Sequence, residues 1–252
     1  MIDYGIKDKV AIVTGAAGQG LGRADAVALA KSGAKVAVLD IADGSETVGL
    51  ITAAGGTAKS YICDISKVDQ IQSTIAQINQ DLGQISILIN NASILSTVGM
   101  FADIAPEKWN RDIEVNTIGT ANITRAVWPQ MIKQNWGRVV MMSSIAGTHG
   151  GLGQTSYSAT KASVVGLGKS LALEGGRNNI TVNIIAPGVI ETAAAGFIRD
   201  DMKERMKKAT AIKRFGRVEE IGDTIAFLCS QQASYITGQV IGVDGGASLF
   251  IF

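Results

Sequence analysis

Val10-Ala11-Ile12-Val13-Thr14-Gly15-Ala16-Ala17-Gly18-Gln19-Gly20-Leu21-Gly22 runs from four apolar residues through a glycine-rich bend into an amphipathic stretch, Arg23 to Ala30. Four successive apolar residues without polar alternation describe a strand covered on both faces. The stretch that follows has helical spacing, so the bend joins a strand to a helix. Glycine suits such a bend because it turns tightly, lets a ligand approach the backbone and leaves the N–H groups of the helix start aimed outward, toward a phosphate. A second apolar run, Val36-Ala37-Val38-Leu39, ends at Asp40, 18 residues beyond Gly22. An acid there accepts both hydroxyls of an adenosine ribose and repels a 2′-phosphate. Strand, bend, helix and acid together predict a dinucleotide site that prefers NAD to NADP. The alternatives are a helix cap for Asp40 and a mere tight turn for the glycines.

The same alternation continues along the chain. Apolar runs of strand length recur at Ser60–Cys63, Ile85–Ile89, Arg138–Met142, Thr181–Ile185 and Val240–Val243, with helical patterns over 20–32, 45–54, 67–81, 106–134, 157–174 and 218–229. Such βαβα order implies an α/β fold. We expect a single doubly wound (Rossmann) domain over 1–252, with a seven-stranded parallel sheet and helices on both faces. Residues 190–216 interrupt the alternation with small residues (Thr192 to Gly196) and then a mixed-charge helix, Arg199 to Lys208. That pattern predicts a lid over the ligand-binding edge of the sheet, a plain surface helix pair being the alternative.

Composition narrows the partners. Of the 252 residues, 23 are Lys or Arg and 22 Asp or Glu, so the net charge is +1 and no electrostatic footprint for nucleic acid or an anionic membrane is present. Cys63 and Cys229 lie in apolar segments without metal-ligand spacing and read as two buried thiols of a reducing cytosol, with no metal site expected. Met1 to Val10 carries Asp3, Lys7, Asp8 and Lys9 in place of an apolar leader, and no run reaches the roughly 18 apolar residues of a membrane span. A cytoplasmic protein is expected.

Tyr157-Ser158-Ala159-Thr160-Lys161 opens the last long helical pattern but one, so Tyr157 and Lys161 share a helix face. An ammonium beside a phenol stabilises the phenolate. This predicts a Tyr157 pKa drawn from about 10 toward neutrality, where acid–base catalysis is efficient. Ser144 follows the run Arg138–Met142 at the sheet edge where open α/β proteins place their chemistry, and its hydroxyl can hold a substrate oxygen beside Tyr157. Taken alone, a Tyr and a Lys flanking a core helix remain the alternative. A hydrolase reading of Ser144 with His149 lacks the G-x-S-x-G elbow.

With these pieces in order, the chain resembles the short-chain dehydrogenase/reductase family over nearly its whole length. Thr14-Gly15…Gly20-Leu21-Gly22 is similar to the family's cofactor loop, Asp64-Ile65 to its adenine contact, and Asn90-Asn91-Ala92-Ser93 to its Asn-Asn-Ala-Gly element. Asn116, Ser144, Tyr157 and Lys161 match its catalytic tetrad. Pro187-Gly188-Val189-Ile190-Glu191-Thr192 is similar to the segment that holds the nicotinamide carboxamide and pyrophosphate, while Ile236-Thr237-Gly238-Gln239 and Val243-Asp244-Gly245-Gly246 match the C-terminal pattern. The chain departs from the family at two places. Four residues, not three, separate Gly15 from Gly20, and Ser93 stands where a glycine is usual. A slightly shifted loop is expected.

The resemblance implies an enzyme that moves a hydride reversibly between NAD and a secondary alcohol or its ketone. Tyr157 would exchange the proton, Ser144 would orient the oxygen, Lys161 would bind the nicotinamide ribose, and Asn116 would hold a water linking Lys161 to solvent. The cofactor residues so implied are Gly15, Gln19, Gly20, Leu21, Asp40, Asp64, Ile65, Asn91, Tyr157, Lys161, Pro187, Gly188, Ile190 and Thr192. Ser144, His149, Leu152 and Phe197 would line the substrate pocket, with a plain loop histidine as the alternative for His149. The pocket stretches hold no Arg or Lys before Arg199, which suits a neutral, bulky secondary alcohol, aryl or cyclic. Two rival readings are a 3-oxoacyl-thioester reductase of the same family, disfavoured by Asp40, and a catalytically silent NAD-binding sensor or scaffold, disfavoured by the intact tetrad. Apolar residues on more than one face of 106–134 and 157–174, among them Ile118 and Leu171, exceed what one sheet covers, and the resemblance implies a homotetramer.

Overall fold

The computed structural model describes residues 3–193, 196 and 199–249. Its sheet is built from β1 (Val10–Thr14), β2 (Lys35–Asp40), β3 (Thr57–Ile62), β4 (Ile85–Asn90), β5 (Gly137–Met142), β6 (Ile180–Pro187) and β7 (Val240–Val243). All neighbours pair in parallel, in the order β3-β2-β1-β4-β5-β6-β7. The chain therefore winds outward from β1 to β3, returns to the centre at β4 and winds the other way. Each apolar run picked from the sequence seeds one of these strands.

Both faces of the inner sheet are covered, which explains why β1, β2, β4, β5 and β6 do not alternate; the edge strand β3 does, and its Ile62 is exposed. Ile12, Leu39, Leu88, Val139 and Ile184 enter one core with Ile123, Val127 and Val164 from the helices below. Their neighbours Ala11, Val13, Val38, Ile87, Val140 and Ile185 enter a second core with Leu29, Ile221 and Ile225. The first layer comprises α3 (Val68–Asp81), α5 (Thr120–Gln134) and α7 (Thr155–Gly175); the second holds α1 (Leu21–Lys31), α2 (Ser45–Ala53) and α9 (Val218–Cys229). Cys63 and Cys229 are buried free thiols. Among the described residues no helix is long and apolar enough to cross a membrane.

Three departures from the expected elements bear on the site. The pattern over 106–134 is not one helix: α4 (Pro106–Ile113) gives way to a π-helical segment, Glu114–Gly119, before α5 begins. A short unexpected helix, α6 (Ile145–His149), follows β5, with Ser144 as its N-cap accepting from the Ala146 N–H at 3.1 Å. The interruption at 190–216 is closed at its base, where Ile190 bridges Gly216 and the Glu191 N–H donates to the Gly216 carbonyl at 2.8 Å. It carries the expected charged helix, α8 (Asp200–Ala209). Ala194, Ala195, Phe197, Ile198 and Phe250 to Phe252 lie outside the described residues.

Candidate active site

Because β1 and β4 send their connections to opposite sides, a crevice opens at their C-terminal ends, the usual ligand position in open α/β sheets. Thr14, last residue of β1, spans it. Its hydroxyl donates to the Ile89 carbonyl at 3.2 Å and accepts from the N–H groups of Asn91 and Ala92 at 3.0 and 2.9 Å. The Asn91 amide donates back to the carbonyls of Thr14 and Gly15 at 2.9 and 3.0 Å. Gly15 has φ +67°, and a Cβ there would meet the Ala92 Cα at 2.8 Å, so the two loops touch backbone to backbone.

Three connected hollows lie along this edge. The first, about 530 Å³, is lined by Gly15, Ala17, Asp40, Asp64, Ile65 and Asn91, and has the proportions of an adenosine site. Asp40 accepts from the Ala17 and Ala42 N–H groups at 2.9 and 3.1 Å. Arg111 on the far wall is engaged by Glu114 at 2.9 Å and Asp64 at 3.7 Å, leaving no free cation on the wall near Asp40 among the described residues. The second hollow runs past Gly15, Gln19, Gly20, Leu21 and Thr192. Gly18 and Gly20 face open space, the Gly20 N–H turns back to the Gly18 carbonyl at 2.9 Å, and no side chain caps α1. Among the described residues the N–H groups of the first turn of α1 are thus free donors, and they suit a pyrophosphate.

The third hollow, about 180 Å³, is lined by Leu21, Asn91, Ser93, Ser144, Tyr157, Lys161, Pro187, Gly188, Ile190 and Thr192. The structure therefore brings every expected cofactor residue to one of three adjoining walls. His149 and Leu152 are not brought there. His149 sits at the far end of α6 from Ser144, exposed, with its Nδ1 2.8 Å from the Thr148 hydroxyl, and Leu152 is 90% exposed. Phe197 lies outside the described residues.

The electrostatics at Tyr157 differ from expectation. Burial pushes its phenol above the ordinary value, and the Ser144 hydroxyl pulls it partly back. The Lys161 Nζ donates to the Met142 carbonyl at 2.8 Å and lies over the Tyr157 ring, 5.5 Å from its centre. Lys161 is itself fully buried, which brings its own pKa down to about 8. Asn116 is held on three sides. Its amide accepts from the Ile94 N–H at 2.8 Å and donates to the Ile94 carbonyl and the Thr160 hydroxyl at 2.8 and 3.1 Å, so it clamps a loop to α7.

A family model described as enoyl-(acyl carrier protein) reductase matches residues 15–248. The chain belongs to the short-chain dehydrogenase/reductase family. It is 38% identical over 243 residues to a 3-oxoacyl-[acyl-carrier-protein] reductase of Thermotoga maritima, covering 96% of this chain and 98% of the relative. An acetoacetyl-CoA reductase of Synechocystis is 37% identical over 247 residues (97% and 98%), and the 3-oxoacyl-[acyl-carrier-protein] reductase of Escherichia coli 36% over 239 (94% and 96%). As a short-chain dehydrogenase/reductase the chain is an oxidoreductase of a nicotinamide-dependent family.

Two residues that the sequence reading passed over matter here. Thr14 was visible only as the residue before the glycines. Asp112, a fully buried carboxylate, showed itself only as an acid on the inward face of its helix.

Proposed function

We propose that this protein reduces the 3-oxo group of an acyl thioester to a 3-hydroxyl, with NADH as its preferred reductant. The observation that carries the reading is the end-to-end similarity, at 36–38% identity, to proteins named as reductases of 3-oxoacyl-carrier-protein and acetoacetyl-CoA. The chemistry at Tyr157 agrees: a phenol held above its ordinary pKa is protonated at neutral pH, the form that gives a proton to a ketone oxygen.

The residues present fit a nicotinamide dinucleotide. The α1 N-terminus would hold the pyrophosphate, Asp40 the adenosine ribose, and Pro187, Gly188 and Thr192 the wall behind the nicotinamide. A bound reduced nicotinamide supplies the hydride. Ser144 donates to the substrate's ketone oxygen, and Tyr157 delivers the proton as the oxygen gains charge. Lys161, an ammonium without a carboxylate partner among the described residues, favours negative charge at that point, and Asn116 keeps the Ile94 wall against α7. Asp40 places a negative charge where a 2′-phosphate would sit, which supports NADH over NADPH.

A second reading, oxidation of a neutral aryl or cyclic secondary alcohol, is favoured by the third hollow, whose described walls carry no charge but Lys161. One experiment separates the two. Steady-state kinetics with acetoacetyl-CoA plus NADH, set beside 1-phenylethanol plus NAD, should favour the thioester by at least about tenfold in kcat/KM, roughly 1.4 kcal/mol. The reverse order would replace the first reading with the second. Assembly as a homotetramer in the cytoplasm is part of the proposal, supported by exposed Ile118, Leu173 and Tyr235 on the helical faces and connections.

A further inference from the structure

Asp112 is the anomaly of α4. Its side chain is fully buried, and it makes no ion pair among the described residues. A buried carboxylate without a cation is unfavourable unless its oxygens are hydrogen-bonded. Each oxygen has one donor, and each donor comes from a different segment of the site. Oδ1 accepts from the Ser96 N–H at 3.0 Å; Oδ2 accepts from the Ser156 hydroxyl at 2.6 Å, the length of an O–H···O⁻ bond. Ser96 lies three residues past Ser93, which stands on the wall of the third hollow. Ser156 is fully buried and immediately precedes Tyr157.

The first turn of α7 has little else to hold it. Gln154 caps it without a side-chain hydrogen bond, and among the described residues the buried hydroxyls of Thr155 and Ser158 have no partner. Of the three hydroxyls flanking Tyr157, only that of Ser156 is tied down, and Asp112 ties it. Asn116, one turn further along, grips the same two segments through Ile94 and through Thr160, whose hydroxyl donates to the Tyr157 carbonyl at 2.8 Å. Asp112 and Asn116 thus form a two-point clamp between the cavity loop and the start of α7.

We propose that Asp112 is a positioning residue for proton transfer, fixing Tyr157 against Ser144 through Ser156 and fixing the facing cavity wall through Ser96. The inference rests on Tyr157 as the proton donor of the proposed reaction. Misplacement of a reacting group by about 1 Å costs about a hundredfold in rate. Removal of the clamp should therefore act on turnover more than on cofactor binding.

The test uses the full chain and three variants, Asp112→Leu, Asp112→Asn and Ser156→Ala, with Tyr157→Phe beside them. Dinucleotide sites are counted by NADH fluorescence titration, and acetoacetyl-CoA reduction is measured per site. Tyr157 ionisation is followed as the tyrosinate absorbance of each protein less that of Tyr157→Phe, a readout that needs no substrate. Asp112→Leu and Ser156→Ala should lose about ten- to a hundredfold in kcat per site with the KM for NADH within about twofold. The Tyr157 midpoint should rise as its contact with Ser144 loosens. Asp112→Asn, which can still accept from Ser96 and donate to Ser156, should recover most of the loss. Should Asp112→Leu fail to fold, Ser156→Ala decides alone. Unchanged kcat per site and an unchanged Tyr157 midpoint in Ser156→Ala, with only a lower melting temperature, would overturn the proposal. Substantial turnover by Tyr157→Phe would instead remove the proton donor on which it rests.

Discussion

The Asp40 carboxylate accepts a hydrogen bond from the Ala17 N–H at 2.9 Å, so the acid that ends β2 also pins the glycine loop after β1. On the proposed reading one residue thereby serves two ends: it would present negative charge to a ribose, and it fixes the backbone of the loop that would pass the phosphates. A substitution there cannot alter one without the other.

Wild-type enzyme should accordingly favour NADH over NADPH by at least about tenfold in kcat/KM, about 1.4 kcal/mol. Asp40→Ser should narrow that ratio but weaken both dinucleotides, because a serine hydroxyl does not reproduce the carboxylate bond to Ala17. Dissociation constants by fluorescence titration check both parts. A clean exchange of preference with no loss for NADH would show that the loop stands without Asp40.

Protonation should divide the two directions. The proposed reduction draws on protonated Tyr157, whose pKa lies above its ordinary value, and on the Lys161 ammonium, so its rate should hold through neutral pH, begin to decline as Lys161 loses its proton near pH 8, and fall further beyond about pH 10. Oxidation of the product needs the phenolate and should climb over the same range. Initial rates in both directions from pH 6 to 10.5 test the pair.

Lys161 should leave its own mark on stability. Its folded pKa is about 8 against 10.5 for the free side chain, so between those values the unfolded chain binds more protons. Wild-type stability from this group therefore rises with pH across that window, by on the order of 3 kcal/mol in all. Lys161→Met lacks the term. The melting temperature of the variant relative to wild type should fall as pH climbs from 8 to 10.5.

Two glycines of one loop should behave oppositely. Gly15→Ala combines a positive φ with a Cβ 2.8 Å from the Ala92 Cα, and should destabilise the fold by about 1–3 kcal/mol. Gly20→Ala meets nothing within 4 Å and should melt as wild type does. Its methyl instead projects where the pyrophosphate is expected, so NADH affinity should drop by about tenfold or more, near 1.4 kcal/mol. Thermal melts and NADH titration of both variants distinguish the two effects.

Asp25 on α1 is fully buried, neither oxygen has a hydrogen-bond partner among the described residues, and burial holds its pKa well above the usual carboxylate range. A group whose folded pKa is raised stabilises only at low pH, and that contribution is lost as pH rises toward the folded value. Asp25→Val should melt higher than wild type at pH 7, and the advantage should shrink at pH 4.5. Equal melting temperatures at both values would mean that Asp25 finds a partner in solution.

Much of this was legible in the chain itself. The strands were readable because a sheet covered on both faces demands unbroken apolar runs, and Val36 to Leu39 or Ile85 to Ile89 admit few other interpretations. The order of the dinucleotide segments was readable because each must reach the same sheet edge. What stayed hidden depended on contacts distant in sequence. Nothing near Asp112 announces Ser156, 44 residues on, and nothing near Lys161 announces that its ammonium turns to Met142. Spacing placed Tyr157 and Lys161 on one helix face correctly, but a shared face does not decide whether the ammonium meets the hydroxyl or a carbonyl. Substrate preference was least legible, since Phe197 and its neighbours form no pattern that distinguishes one apolar ligand from another.

The π-helical segment Glu114–Gly119 has a consequence for helical phase. Val115, Gly119, Ile123, Val127 and Met131 are all buried, at steps of four residues. In an ideal α-helix a step of four advances about 400°, so this stripe would wander about 160° around the axis before reaching Met131. The wider i→i+5 turns take up part of that excess and keep both ends of the stripe toward the sheet. Excision of a single residue between Glu114 and Gly119 would therefore act far from the cut. It would rotate α5 by about 100°, carry Ile123 and Val127 toward water, and pull Asp112 and Asn116 out of step with the core they now share.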